Sequence, residues 1–95
     1  MRLVKIVKSE NPTKKYDAYV ETRDSSVKKI SFGAAGMSDY TLHKDPERKK
    51  RYIARHKANE DFNDPLTAGF WSRWYLWNLP TKKESLEDLK RRFKL

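Results

Sequence analysis

Ninety-five residues carry 22 Lys/Arg against 13 Asp/Glu, a net charge of +9, with twelve aromatics and no cysteine. That size sets one small domain, which buries only roughly 60–65 % of its unfolded surface. The missing cysteines exclude disulfides, zinc ribbons and thiol catalysis, and fit a reducing compartment. The aromatic content argues against disorder throughout, and the basic excess points to polyanions or acidic protein surfaces as neighbours.

The first third alternates in the β manner. Leu3–Val7, Tyr16–Val20 and Val27–Phe32 are β-branched or aromatic runs, separated by the polar clusters Ser9–Lys15 and Arg23–Ser26. They predict a three-stranded antiparallel meander, with Arg23-Asp24-Ser25-Ser26 as a hairpin turn that lacks glycine. Charges interrupt every apolar pair after Met1 and no apolar run approaches the ~20 residues of a membrane helix, so a soluble or assembly-held protein is expected.

Phe32 to Lys44 reads as a loop around Gly33 and Gly36. Asp45-Pro46 and Asp64-Pro65 each offer a capping carboxylate followed by proline at the first helical position, and Thr81-Lys82-Lys83-Glu84 is a capping-box pattern. Three helices are predicted, over 46–58, 65–77 and 82–93, completing an α+β domain with no internal repeat or linker. In the last, Leu86, Leu89 and Phe93 share a face, and Lys90, Arg91 and Arg92 suit the C-terminal dipole.

Charge is unevenly placed along the chain. Residues 44–57 hold seven Lys/Arg against Asp45 and Glu47, a local balance of +5, whereas residues 58–81 hold Arg73 against Glu60, Asp61 and Asp64. On the 46–58 helix, Tyr52, Ile53, His56 and Lys49 form one stripe, and Arg48, Arg51 and Arg55 fall in a row on the opposite side beside Lys50 and Lys57. Such a row can bind phosphates or carboxylates bidentately. The plainer reading is a solvated face on which Glu47 supports Arg51 at i+4.

Phe70-Trp71-Ser72-Arg73-Trp74-Tyr75-Leu76-Trp77 contains all three tryptophans. On a regular helix its rings span an arc of about 160°, too wide for a domain this small to enclose fully. Phe70 and Trp74 are therefore expected inside, with Trp71, Tyr75 and Trp77 as candidate anchors for a partner.

Catalytic signals are weak. Gly33-Ala34-Ala35-Gly36 matches a GxxG pattern but lacks the Lys-Ser/Thr of a P-loop, and a turn explains it better. Ser38, Asp39, His43 and His56 have neither nucleophile-elbow context nor close metal-ligand spacing. Glu60, Asp61 and Asp64 read as capping and turn residues. No helix-turn-helix, zinc-finger or RRM signature is present.

The run from Lys28-Lys29-Ile30-Ser31-Phe32-Gly33-Ala34-Ala35-Gly36-Met37-Ser38-Asp39-Tyr40-Thr41 into His43-Lys44-Asp45 is distinctive. So are Arg51-Tyr52-Ile53-Ala54-Arg55-His56, Glu60-Asp61 and Asp64-Pro65-Leu66-Thr67-Ala68-Gly69-Phe70-Trp71-Ser72-Arg73-Trp74. Across about residues 16–93 the chain resembles a family of short, poorly characterised proteins of large double-stranded DNA viruses of algae and amoebae, of the chlorovirus and mimivirus kind. The resemblance implies a viral setting and brings no catalytic assignment.

Context and surface chemistry together give the expectation of a non-enzymatic minor capsid protein, made in the host cytoplasm and held in the virion. Its expected partners are other capsid proteins, major and minor, contacted through Arg48, Lys50, Arg51 and Arg55 and through Trp71, Tyr75 and Trp77. The alternative is a basic nucleic-acid-associated protein of genome packaging or replication. No cofactor, metal or small-molecule substrate is expected.

Overall fold

The alternating runs become β1 (Arg2–Lys8), β2 (Lys14–Glu21) and β3 (Val27–Ala34) in the computed structural model, which describes all 95 residues. They pair antiparallel in the order β1-β2-β3. Cross-strand pairing brings Leu3 opposite Val20, Ile6 and Ile30 opposite Ala18, and Tyr16 opposite Phe32, so one face of the sheet is apolar. A register shift between Leu3 and Lys5 leaves Val4 exposed without inverting the rest of β1.

The glycine-free hairpin works through its side chains. Ser25 takes the left-handed conformation (φ 67°), while the Asp24 carboxylate accepts from Ser26 N and from the Thr22 hydroxyl. On the other face of the sheet, Asp17 is almost fully covered and accepts from Ser31 Oγ at 2.6 Å. The Ser31 bond, with a second from Ser9, holds its carboxyl below the usual range against the cost of burial.

The expected loop contains a short helix, α1 (Tyr40–His43), capped by Asp39 and ended by Lys44 in the left-handed conformation. Helix α2 (Pro46–Lys57) starts as predicted: the Asp45 carboxylate accepts from the N–H groups of Glu47 and Arg48, and Pro46 opens the first turn. The Thr81 cap accepts from Glu84 N and opens α4 (Lys82–Phe93), whose Leu89 is fully buried with Leu86 and Phe93 beside it.

The helix expected over 65–77 differs most. Asp64 and Pro65 remain in a turn, with Asp64 accepting from Leu66 N, and Thr67 provides the cap instead. Only Ala68–Trp71 is α-helical (α3), and Ser72–Leu76 widens into a π-helical turn closed by Trp77 N–H to Ser72 O at 3.0 Å. Each residue of a π turn advances by less than its α-helical angle, so the regular projection of the rings fails here.

The core joins Leu3, Ala18, Val20, Ile30 and Phe32 of the sheet to Phe70, Trp71, Leu76 and Leu89. Gly33 (φ +78°) lets β3 reach the π turn: a Cβ there would lie 2.9 Å from Leu76 Cδ1. The corner between the π turn and α4 is pinned by Ser85, which is fully buried and whose Oγ bonds both Leu79 N and Leu79 O. Asn78 there donates to Asp88 at 2.8 Å, which keeps the Asp88 carboxyl below its ordinary range.

Candidate partner-binding surface

Helix α2 divides its polar and apolar faces sharply. Arg48, Lys50, Arg51 and Arg55 are all exposed, while Tyr52 is buried. The molecule's ion pairs are Arg2–Glu21, Lys15–Asp39, Arg91–Asp88 and Arg92–Asp88, with His56–Glu60 a fifth only when the imidazole carries a proton, and none of them engages this basic face. The i,i+4 support of Arg51 by Glu47 is therefore not formed. Three guanidiniums and an ammonium stand in solvent with their donors free, and such groups bind carboxylates or phosphates.

Lys49, on the inward stripe, behaves differently. It donates to Asn78 O at 2.6 Å and lies 5.0 Å over the Tyr40 ring, and burial lowers its pKa. This lysine is spent on tying α2 to the corner before α4.

The aromatic octet packs largely inward, which corrects the expected anchor role of Trp71, while Tyr75 and Trp77 stay partly exposed. Trp71 is completely buried against Phe32 and Phe70, and its Nε1 donates to Pro65 O at 2.7 Å. Trp74, expected inside, is half-buried, and its Nε1 donates to Phe62 O at 2.6 Å. The two indoles thus clasp the 58–67 segment by its carbonyls. The π turn accounts for Trp74, which it rotates away from the position that a continuous α-helix would give it, whereas Trp71 lies in α3 before that turn.

Cations cover the exposed part of Trp74: the Arg73 and Arg92 guanidiniums lie 4.2 and 4.7 Å from its ring centroid. Arg73 also donates to Trp77 O at 2.8 Å, and burial lowers its pKa. Tyr75 meets Tyr16 and Phe32 edge-on, at 5.4 and 5.9 Å, and burial raises its hydroxyl pKa. Trp77 stacks on Tyr52 at 4.2 Å with the rings parallel to within 2°. No ring of the octet projects freely as an apolar plug.

Tyr52 and Trp77 are the centre of a four-ring column. His56 stacks on Tyr52 at 4.1 Å, and His43 packs against Trp77 at 5.2 Å. Burial pushes the Tyr52 hydroxyl up to about 12, aided by the Glu60 charge. The histidines therefore occupy different ends of a packed stack. Burial, with the nearby Arg48 charge, lowers the pKa of His43, whose Nδ1 accepts from Asp45 N at 3.0 Å.

The remaining candidate polar residues also have local partners. Asp39 caps α1 and accepts from Lys15 Nζ at 2.6 Å. His56 Nδ1 lies 3.3 Å from Glu60 Oε2, a contact without good hydrogen-bond geometry. Asp61 and Asp64 make the expected turns, but Glu60 does not: its carboxylate packs over Gly69, where an added Cβ would lie 2.9 Å from Oε2. The i,i+4 spacing of His56 and Glu60 was a legible signal for that pair, whereas the approach to Gly69 had none. No three His, Asp or Glu side chains come together in metal-binding geometry.

Beside the column, a cleft of about 350 Å³ runs between the end of β3 and α2. Lys14, Lys15, Asp39, Arg55, His56 and Glu60 supply its charged lining. Arg55 thus belongs to both the exposed basic face and the cleft rim.

A three-stranded meander backed by short helices, one of them with an unpaired cationic face, defines a small α+β domain. The chain belongs to DUF5754, a family of unknown function that matches residues 4–56. That stretch contains nearly all of the sheet and of α2, and it stops before the aromatic octet. No curated protein sequence and no solved structure matches the chain. No helix is long and apolar enough to cross a membrane.

Proposed function

We propose that this protein is a non-enzymatic structural component of a large double-stranded DNA virus, a minor capsid protein that bridges or cements capsid subunits. The observation that carries the reading is the α2 face, where Arg48, Lys50, Arg51 and Arg55 are exposed and lack carboxylate partners. Acidic surfaces of neighbouring capsid proteins would supply those partners. Trp71 has no contact role in this reading, because its ring is fully buried, and Tyr75 and Trp77 offer only the edges left by their packing on Tyr16, Phe32 and Tyr52.

Cross-linking mass spectrometry on purified particles of the encoding virus tests it. The expected result is the chain in the particle, with Lys50 cross-linked to a capsid subunit. Absence from purified particles overturns the reading.

A second reading, nucleic-acid association in packaging or replication, draws on another observation. Lys5, Tyr19 and Lys29 are paired directly across the three strands, and Lys5 Nζ lies 4.9 Å over the Tyr19 ring. An exposed cation–aromatic row resembles the platforms on which single strands stack. It predicts binding to random-sequence strands with a steep salt dependence. No binding at low salt removes it.

A further inference from the structure

Lys14, Lys15 and Asp39 lie between the cleft beside α2 and a second pocket, of about 570 Å³, and line both. This pocket lies among the end of β1, the β1–β2 turn, the Ala35–Gly36 turn and the first residue of α4. Four lysines line it, Lys8, Lys14, Lys15 and Lys82, and Asp39 is its one carboxylate.

Asp39 is already spoken for. Oδ2 accepts from Lys15 Nζ at 2.6 Å, and Oδ1 accepts from the backbone and hydroxyl of Thr41. The Lys15 charge is therefore cancelled within the protein. Lys8, Lys14 and Lys82 take part in none of the molecule's ion pairs. Asn11 adds a further donor: its Oδ1 accepts from the N–H and hydroxyl of Thr13, which leaves its amide N–H2 without a protein partner.

This is a concave site rich in donors and poor in acceptors. Gathering three ammoniums on one concave surface raises the energy of the empty protein, and an anion with several acceptor oxygens relieves it. A phosphate monoester brings a charge of about −1.5 to −2 and three acceptor oxygens, against one charge and two oxygens for a carboxylate. Lysine binds phosphate as a point charge, without needing the fixed fork of arginine. The volume lies within the range of about 300–1,000 Å³ usual for ligand pockets. The turn leaves room as well, since a Cβ added at Gly36 would meet nothing within 4 Å.

We propose that the Lys8–Lys14–Lys82 pocket is a phosphate-binding site, separate from the cationic face of α2. The phosphate comes either from a free polyphosphate or nucleotide or from a nucleic-acid backbone.

Titration of the full-length chain with pyrophosphate, ADP and a short single-stranded oligonucleotide, followed by amide chemical shifts and calorimetry, tests the site. Saturable shifts confined to the amides of residues 8–15, 35–37 and 82 are expected. If pyrophosphate and ADP produce them, the ligand is a free phosphate compound; if only the oligonucleotide does, the phosphates are those of a strand. Either result supports the site.

The K8Q/K14Q/K82Q variant should lose at least about tenfold in affinity for the active probe, and R48Q/R51Q/R55Q should bind it as the unaltered chain does. These lysines contribute no ion pair to the fold, and single Lys→Gln variants, each with its thermal midpoint measured, separate lost binding from lost structure. The proposal is overturned by an absence of saturable shifts at low salt, by shifts spread evenly over all basic surfaces, or by undiminished binding in a folded triple-lysine variant.

Discussion

The aromatic octet and the basic face of α2 treat their polar groups in opposite ways. Trp71 and Trp74 each bring one N–H into the interior, and each finds a backbone carbonyl on the 58–67 segment. Arg48, Arg51 and Arg55 carry many more donors and direct none of them to a carboxylate of their own chain. An amphipathic ring that can satisfy its single donor internally is worth more as core than as a surface anchor. A row of guanidiniums gains nothing comparable inside, because burial without partners costs several kcal/mol per charge. The octet thus serves the fold, and the basic face leaves its donors in solvent.

Trp71 tests that division most severely. Replacing it by alanine empties the space between Phe32 and Phe70 and strands Pro65 O, at a cost of about 3–5 kcal/mol. Small domains hold only about 5–15 kcal/mol in total, so Trp71→Ala should be largely unfolded at moderate urea. Chemical denaturation followed by circular dichroism measures it. A loss below about 1 kcal/mol would return Trp71 to the surface role that its sequence suggested.

Gly69→Ala should have the next largest effect. The new Cβ would lie 2.9 Å from the Glu60 carboxylate, so either Glu60 or α3 must shift. The clashing carboxylate ends a flexible, partly exposed side chain and alanine gains about 0.5–1 kcal/mol over glycine in a helix, so the net cost is at most about 1 kcal/mol. Adding Glu60→Ala should recover most of it, and a double-mutant cycle gives the coupling directly. Additive losses would show that Glu60 is not the obstacle.

These two residues also mark where the sequence stopped being legible. The strands, α2 and α4 were readable because alternation, Asp45-Pro46 and the Thr81–Glu84 box are local signals, and each acts within a few residues of its own position. The basic face was readable for the same reason, since exposed groups on a regular helix obey the projection. The octet was not, because its start was decided by Trp71 and Trp74 reaching back to Pro65 and Phe62, and the projection failed at the π turn. Asp64-Pro65 carries a helix-start signal as good as that of Asp45-Pro46, yet Pro65 O is claimed by an indole and Thr67 caps the helix instead. The Glu60–Gly69 approach and the lysine pocket join segments far apart in the chain, and no spacing announces either.

Acidification probes the His43 end of the ring column. Its folded-state pKa is lowered by burial and by Arg48, so the unfolded chain binds the proton more readily. The contribution of His43 to stability is thus complete above its ordinary value near 6.5 and declines as the pH falls through the lowered folded value. His43→Asn replaces the Nδ1 acceptor for Asp45 N with an amide oxygen that does not titrate in this range. Thermal midpoints between pH 7 and 5 should fall for the unaltered chain and flatten for the variant. Equal slopes would remove His43 as the cause.

The smallest expected change in stability belongs to the basic face, and its smallness is what makes it informative. Arg48, Arg51 and Arg55 pack against nothing that needs their charge, so R48Q/R51Q/R55Q should alter stability by no more than about 0.5 kcal/mol in either direction. Relief of mutual repulsion along α2 acts against the modest loss of helix–dipole support from Arg55 in the last turn. Binding to an acidic protein surface should nevertheless weaken, with a flatter dependence on salt. Denaturation curves and a salt titration on the same variant separate the two quantities. A large loss of stability with binding unchanged would invert the comparison, making the arginines part of the fold and moving the contact surface elsewhere on the domain.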